Sequence, residues 1–177
     1  MISKEDIKHL EKIFPFWLDM KQNDRAKIIL SSRILSLKKN SIFFNSHDLD
    51  GLLFLKSGKL RFFLSHLEAR ELPLYYLNNM EVEFFENFND KTISTILDIA
   101  FIVEKNSEIL LIPYSVLNLF RDKYSIMEKF LHNLTREKLS KSLLSLQNIL
   151  LIPLKDRLLN FLYSLNKTEI SLTHEEI

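Results

Sequence analysis

The chain of 177 residues is 46% hydrophobic and contains no cysteine, which excludes disulfides, thiolate zinc sites and cysteine-ligated iron–sulfur clusters. Lysine and arginine exceed aspartate and glutamate by one, 24 against 23, so the chain has no strong basic charge that would indicate nucleic-acid binding. With no bilayer-length apolar run and no positively charged, cleavable leader, we expect a cytoplasmic protein without a membrane partner.

Two helices are predicted at the start of the chain. Ser3 is a suitable N-cap with acidic residues after it, and the helix that follows has an apolar face around Leu10. Pro15 interrupts this pattern. A second helix is predicted from about residue 23, with Asp24 as its cap and Leu30 near its end.

Residues 33 to 112 alternate apolar and polar side chains in short segments, which is typical of half-buried strands in a barrel or sandwich. Ser57 and Gly58 are typical of a tight hairpin turn, and asparagine-rich stretches supply further turns. The predicted strands are Arg33–Leu37, Ser41–Phe44, Leu52–Lys56, Leu60–Ser65, Glu71–Leu77, Glu83–Phe88, Ile93–Val103 (broken) and Glu108–Ile112.

A short helix, Tyr114–Arg121, is predicted to lead into one long helix at 122–152, which Pro153 ends. At about 1.5 Å per residue the long helix would reach roughly 46 Å. Leucines recur at alternating spacings of four and three in its second half and form one stripe, which favours a two-fold dimer seam over packing within the same domain. These leucines are Leu139, Leu143, Leu146 and Leu150.

The last part of the chain predicts a helix at 154–165 and a short strand at 169–172. Residues 173–176 then form a capping box, with Thr173 as the cap of a helix that the sequence does not complete.

Several of these segments together resemble the Crp/Fnr family of bacterial transcription regulators, and the resemblance extends over the whole chain. Leu53 to Arg61 is similar to the family's glycine hairpin, and Arg70 to Leu77 to the strand after it. Ile109 to Pro113 resembles the exit from the β-roll. Asp156 to Leu162 resembles the family's Arg-Leu-x-x-Phe-Leu helix, and Ile170 to Ile177 the start of its winged helix-turn-helix.

The resemblance implies an α+β fold: an antiparallel, double-wound β-roll of jelly-roll type, like a cyclic-nucleotide-binding domain, with flanking helices. It implies a sensor domain at 1–121, a dimerisation helix at 122–152, and the beginning of a DNA-binding domain at 153–177 in which the recognition helix is missing. Arg157 and Thr173 would serve that DNA-binding domain. The implied partners are a second copy, promoter DNA for the complete protein, a small-molecule effector and RNA polymerase.

Cyclic nucleotides are not the expected effector. In the family the phosphate is held by a cassette with a Gly-Glu pair and a downstream arginine. The stretch from Asn79 to Thr95 contains neither glycine nor arginine. It carries Glu81, Glu83, Glu86 and Asp90 against Lys91 alone, and these carboxylates would repel a phosphate.

Haem needs one axial imidazole, so the histidines leave a haem site open, with His132 on the long helix and His66 as candidates. Each histidine is more simply a surface or structural residue. Seven aromatic side chains could line an apolar effector pocket, although packing in a core is the simpler interpretation. They are Phe62, Phe63, Tyr75, Tyr76, Phe84, Phe85 and Phe101.

Two other classes of protein are alternatives to a regulator. A cupin-like enzyme would need clustered histidines with a carboxylate for its metal, and the sequence has neither a His-x-His pair nor another catalytic or metal motif. A dimeric sensor or interaction module without DNA binding would keep the leucine stripe and the roll. We therefore expect a regulator and no enzyme, with its effector, its DNA target and the direction of regulation unspecified.

Overall fold

The structure is a computed structural model, and it describes residues 2–44, 49–65, 71–85 and 98–164. In this part of the chain the helices are α1 (Lys4–Ile13), α2 (Gln22–Ser31), α3 (Tyr114–Arg121), α4 (Ser125–Leu151) and α5 (Leu154–Ser164). A 3₁₀ turn lies at Trp17–Asp19. The strands are β1 (Arg33–Leu37), β2 (Ile42–Phe44), β3 (Gly51–Ser65), β4 (Glu71–Asn78), β5 (Val82–Phe85) and β6 (Asp98–Pro113).

The two N-terminal helices lie where the sequence predicts them. Ser3 caps α1: its Oγ accepts a hydrogen bond from the Asp6 N–H at 3.1 Å, and Asp6 Oδ2 accepts one from the Ser3 N–H at 2.7 Å. The predicted cap of α2 is wrong, because Lys21 occupies that position and makes no side-chain cap hydrogen bond. Asp24 lies in the first turn instead, and Lys123 and Tyr124 both donate hydrogen bonds to its carboxylate.

The hairpin predicted at Ser57-Gly58 is also wrong, since β3 runs without interruption through both residues. Gly58 has a φ of +105° at a point where the register between β3 and β6 shifts. A Cβ on Gly58 would lie 2.0 Å from Ser107 Oγ and 2.7 Å from Ser107 Cα. The glycine therefore permits a bulge with close approach of two backbones, a role that a sequence does not distinguish from a turn.

Strand β6 is likewise one strand where two were predicted, and it pairs with β3 along its whole length, from Gly51 opposite Pro113 to Ser65 opposite Asp98. The first half of β3 carries β5 as its other neighbour and the second half carries β4. Strand β2 pairs with the first half of β6 and β1 with the second half. All these pairings are antiparallel.

One hydrophobic cluster joins the two halves of the sheet. Leu53 and Leu111 come from one half and Phe62 and Phe101 from the other, and all four are buried in the same cluster. The sheet thus folds over near Gly58, and its two halves face each other as in a β-roll. The antiparallel sheet that the resemblance implies is confirmed.

The other face of the β1–β6–β3–β5 half is covered by helices. Alternation along β3 sends Leu53 into the roll and Leu52 and Phe54 out to the helices. There they join a second cluster with residues of α1, the 3₁₀ turn, α2, α3 and the first half of α4. The helical layer therefore rests directly on the roll.

Helix α3 has the predicted bounds, whereas α4 begins three residues later than predicted. Tyr124 is its N-cap, with extended φ and ψ of −127° and 96°, so residues 122–124 form a turn. The helix ends at Leu151, just before Pro153, and α5 begins at once. Within the described ranges no helix is long and apolar enough to cross a membrane. The predicted strand at 169–172 and the cap Thr173 lie outside the described residues.

We expect Gly58→Ala to destabilise the fold by roughly 1–3 kcal/mol, because the new Cβ meets Ser107 and alanine must adopt a positive φ. Urea unfolding monitored by circular dichroism measures the change. Ser57→Ala is the matched control, since Ser57 is exposed on the same strand. Equal stability of the two variants would contradict this role for Gly58.

Candidate functional site

Helix α4 lies against β4 and β5, and the residues that it turns toward them recur at helical spacing. Met127 and Leu131 are buried in the apolar cluster, and Lys138, two turns further on, is buried as well. Ser142 and Ser145 continue the same stripe with partial burial. The contact between helix and roll therefore changes from apolar to polar along α4.

The polar part of this contact contains a buried ion pair. Glu83 of β5 is 3% exposed and Lys138 is 7% exposed, and Glu83 Oε2 lies 3.5 Å from Lys138 Nζ. The lysine Nζ also lies 5.4 Å from the centre of the Tyr75 ring, and the Tyr75 hydroxyl group acts to lower the pKa of the Glu83 carboxyl group. Three separate elements, β4, β5 and α4, thus each contribute one polar group to the same buried place.

Burial has the largest effect on the pKa values of Glu83 and Tyr75. It raises the pKa of Glu83 to about 7, although the Lys138 charge, the Tyr75 hydroxyl group and the Phe84 backbone N–H all act in the opposite direction. Burial also raises the pKa of Tyr75 strongly, and the negative charge of Glu83 adds to that shift. The pKa of Glu83 therefore lies close to neutral pH, which is typical of functional sites and also occurs in structural ion pairs.

Two further polar contacts, both C-terminal to Lys138 along α4, hold the helix to the roll. Lys141 Nζ lies 3.4 Å from Glu81 Oε1 and 2.9 Å from Glu137 Oε1. One turn later, Ser145 Oγ donates a hydrogen bond of 2.8 Å to the Pro73 carbonyl group. Lys138, Lys141 and Ser145 together fix the axial position of the helix against β4 and β5.

The predicted leucine stripe lies on another side of α4. At about 100° per residue, its centre is roughly 110° around the helix from Lys138. The described chain leaves these side chains uncovered: Leu139 is 58%, Leu143 55% and Leu150 77% exposed, and Leu146 is half-buried. Within the described residues, Leu139, Leu143 and Leu150 are therefore not packed into the core of their own domain.

The beginning of α4 is anchored to α2. The Tyr124 hydroxyl group donates a hydrogen bond of 2.7 Å to Asp24 and accepts one of 3.0 Å from the Lys21 N–H. Lys123 also binds the Asp24 carboxylate, and its hydrogen bond lowers the pKa of that group. Nearby, Arg121 holds Glu128 of α4 through hydrogen bonds of 2.7 and 2.9 Å. The first turn of α4 is therefore firmly positioned.

The histidine candidates do not converge on this site. His132 is exposed on α4, close to Glu128. His66 lies outside the described residues, as does Thr173. Arg157 of α5 is half-buried and its Nε has no hydrogen-bond partner. Among the described residues no group of three or more histidine or acidic side chains could hold a metal ion.

The seven aromatic candidates are mainly core. Phe62, Phe63 and Phe101 are buried, and the rings of Phe62 and Tyr75 stack with centroids 4.9 Å apart. Phe101 in turn packs against Phe62, at 5.2 Å between centroids. Tyr76 is 42% exposed on the opposite face of β4.

Sequence reasoning missed Lys138 and the polar role of Tyr75, and it treated Glu83 only as one of several carboxylates. A signal for Lys138 was present: it stands seven residues after Leu131 and four after Leu134, so it shares their face of the helix. Nothing in the sequence pairs it with Glu83, because that contact depends on how the helix crosses the roll.

We expect Lys138→Met to destabilise the protein at about pH 8 by as much as roughly 3–5 kcal/mol, because the ionised Glu83 would be left buried without its cation. Lys141→Met is the matched control. Lys141 lies one turn away and is 34% exposed, so its loss should cost only about 0–1 kcal/mol. Urea unfolding gives both values, and a cost for Lys138→Met no larger than that of the control would contradict the buried pair.

No family model matches the sequence, and no curated protein matches it. Solved structures do match. A transcriptional regulator of the Crp/Fnr family from Eubacterium rectale ATCC 33656 is 24% identical, with a TM-score of 0.79 over 93% of this chain and 78% of that one. The c-di-GMP-responsive global regulator CLP of Xanthomonas campestris is 17% identical, with a TM-score of 0.59 over 87% and 76%.

A mutant of CooA from Carboxydothermus hydrogenoformans is 14% identical, with a TM-score of 0.53 over 82% of this chain and 93% of that one. At these identities the likeness concerns the fold. The chain therefore has the fold of the Crp/Fnr-type regulators to which it is similar, including an antiparallel sheet like that of their cyclic-nucleotide-binding domain.

Proposed function

We propose that the protein is an effector-responsive, homodimeric transcription regulator of the Crp/Fnr type. The observation that carries this proposal is the arrangement of α4, which presents one face to the roll and a separate row of exposed leucines to the outside. The neighbours with this fold are transcription regulators, which supports the assignment and argues for a regulator over an enzyme.

The dimer is proposed to form through the leucine stripe. Helix α4 has 27 residues, so it is about 40 Å long, and its second half leaves Leu139, Leu143 and Leu150 more than half exposed. Burying such side chains is favourable by about 1.5–3 kcal/mol each. A two-fold axis beside α4 would pair the stripe with its copy, because the same surface then serves both subunits.

Residues 153–177 are proposed to begin the DNA-binding domain. The described part is α5, and Arg157 would serve this domain by packing or by contacting a phosphate. Thr173 is proposed to cap the next helix. Promoter DNA and RNA polymerase follow as proposed partners from the family resemblance.

The effector is proposed to be a small molecule other than a cyclic nucleotide. Two of the four carboxylates in the stretch compared with the phosphate cassette, Glu81 and Glu83, are already engaged by Lys141 and Lys138. The positive charges of these two lysines thus partly offset the negative charges of Glu81 and Glu83. Glu86 and Asp90 lie outside the described residues. The described histidines give no support for a haem site. In this proposal the effector acts by shifting α4 between two positions.

We expect Leu143→Asp to dissociate the dimer, because the carboxylate would be buried opposite its own copy across the two-fold axis. Sedimentation velocity at micromolar concentration should show a dimer for the natural chain and a monomer for the variant. Leu30→Asp is the control, since Leu30 is 84% exposed on α2 and should leave the dimer intact. A monomeric natural chain would overturn the dimer.

The DNA-binding role is tested by selecting genomic fragments with the complete gene product. We expect enriched sites with two-fold symmetry and half-sites about one helical turn apart. Leu143→Asp should lower the affinity for such a site by at least about tenfold, because two linked half-site contacts become independent. A stable dimer that enriches no fragment would instead favour the dimeric sensor or interaction module.

A further inference from the structure

We propose that docking of α4 onto the roll is linked to proton binding by Glu83, so that acidification below neutral pH tightens this contact and a return to neutral pH loosens it. The helix would then respond to pH without any bound effector. This inference concerns a contact within one chain and goes beyond the regulatory role proposed above.

Glu83 lies opposite Leu53 and so shares the inner face of the roll, at the place where α4 crosses β4 and β5. Its carboxyl group lies on β5 and is covered by Lys138 from α4 and Tyr75 from β4. The distance of 3.5 Å to Lys138 Nζ exceeds the length of about 2.7–2.9 Å that is typical of a hydrogen bond between ions. Glu83 Oε2 accordingly has no hydrogen-bond partner, whereas Oε1 accepts one from the Phe84 N–H at 3.1 Å.

Among the described residues, the charged and titratable groups around Glu83 come from two elements besides its own strand. Strand β4 contributes Tyr75 and α4 contributes Lys138. Strand β3 places Leu53 opposite Glu83 and offers no charge. On the flank, Lys141 of α4 is engaged with Glu81 and Glu137. One distant cation therefore compensates one buried carboxylate, and this is insufficient to offset its loss of hydration.

The direction of the effect follows from linkage. When α4 is docked, burial raises the pKa of Glu83 to about 7. When α4 is displaced, water reaches the carboxyl group and its pKa returns toward its ordinary value of 4.5. The docked state binds the proton more tightly, so docking strengthens as pH falls from about 7 to about 4.5 and weakens over the same window as pH rises.

The consequence reaches the proposed dimer seam, because Lys138 is the immediate neighbour of Leu139. A helix that is firmly docked at Lys138 presents its leucines at one fixed angle, and a loosened helix presents them less precisely. The strength with which the second half of α4 docks onto the roll would thus depend on pH near neutrality.

Hydrogen–deuterium exchange of the peptides that cover residues 134–148 tests the proposal, with the natural chain and Glu83→Gln compared at each pH so that intrinsic exchange rates cancel. At about pH 7.5 the natural chain should exchange faster than Glu83→Gln, because the variant mimics the protonated carboxyl group. The ratio of their exchange rates should fall by about tenfold or more on going to about pH 5. Glu71→Gln removes a carboxylate of β4 that is 39% exposed and pairs with Arg61 of β3, so it should follow the natural chain at both pH values.

A second variant keeps the test decisive if Glu83→Gln fails to fold. The Lys138 charge lowers the pKa of Glu83. On acidification, exchange of residues 134–148 should therefore begin to slow at a higher pH in Lys138→Met than in the natural chain. An exchange rate ratio that does not change with pH, or a transition that Lys138→Met leaves in place or moves to lower pH, would overturn the proposal. Because the readout lies within one chain, it holds whether or not the chain dimerises or binds DNA.

Discussion

The pairing of β3 with β6 determines most of this structure. These two strands stay hydrogen-bonded from Gly51 opposite Pro113 to Ser65 opposite Asp98, and they fold over together where Gly58 meets Ser107. Each half of the pair then recruits its own outer strands, and the two halves enclose the core that contains Phe62 and Phe101. The positions of β4 and β5, the two strands that α4 contacts, follow from this one bend.

Helix α4 is held by two kinds of contact in succession. Its first half belongs to the apolar cluster, where Phe130 packs against Phe14 and Phe16 with ring centroids 5.5 and 6.1 Å apart. Its second half is held by the ion pairs of Lys138 and Lys141 and by the hydrogen bond from Ser145. Apolar burial contributes reliably to stability, whereas a buried ion pair nearly balances its own desolvation. The second half of the helix is therefore the easier half to displace.

The sequence predicts the element order well because the relevant signals are local. The N-cap at Ser3, the bounds of α3 and the stop at Pro153 each depend on residues within one or two turns. The errors occur where the deciding contact is distant in sequence. Gly58 serves a bulge because Ser107 lies against it, and Asp24 binds Lys123 and Tyr124 about 100 residues away instead of capping its own helix.

The same distinction separates the two faces of α4. The leucine stripe is visible in the sequence because four leucines recur at alternating spacings of four and three, and what covers the stripe stays a prediction. The pair of Glu83 and Lys138 is not visible, since each partner alone looks like an ordinary solvated charge. A dimer seam can be proposed from periodicity, whereas a proton-linked contact requires knowing which carboxylate the fold has buried.

The apolar contact of the first half of α4 and the polar contact of its second half also determine how a signal could pass through the protein. The anchor of Asp24 on Tyr124 and Lys123 and the aromatic packing of Phe130 fix one end of the helix. Any displacement is therefore a swing or a small rotation about that end, and its amplitude grows toward Leu150. The leucine stripe begins directly after Lys138, so a small free-energy change at Glu83 and Lys138 displaces the stripe more than it displaces the first half of the helix. The apolar contacts hold the first half in place while the second half moves.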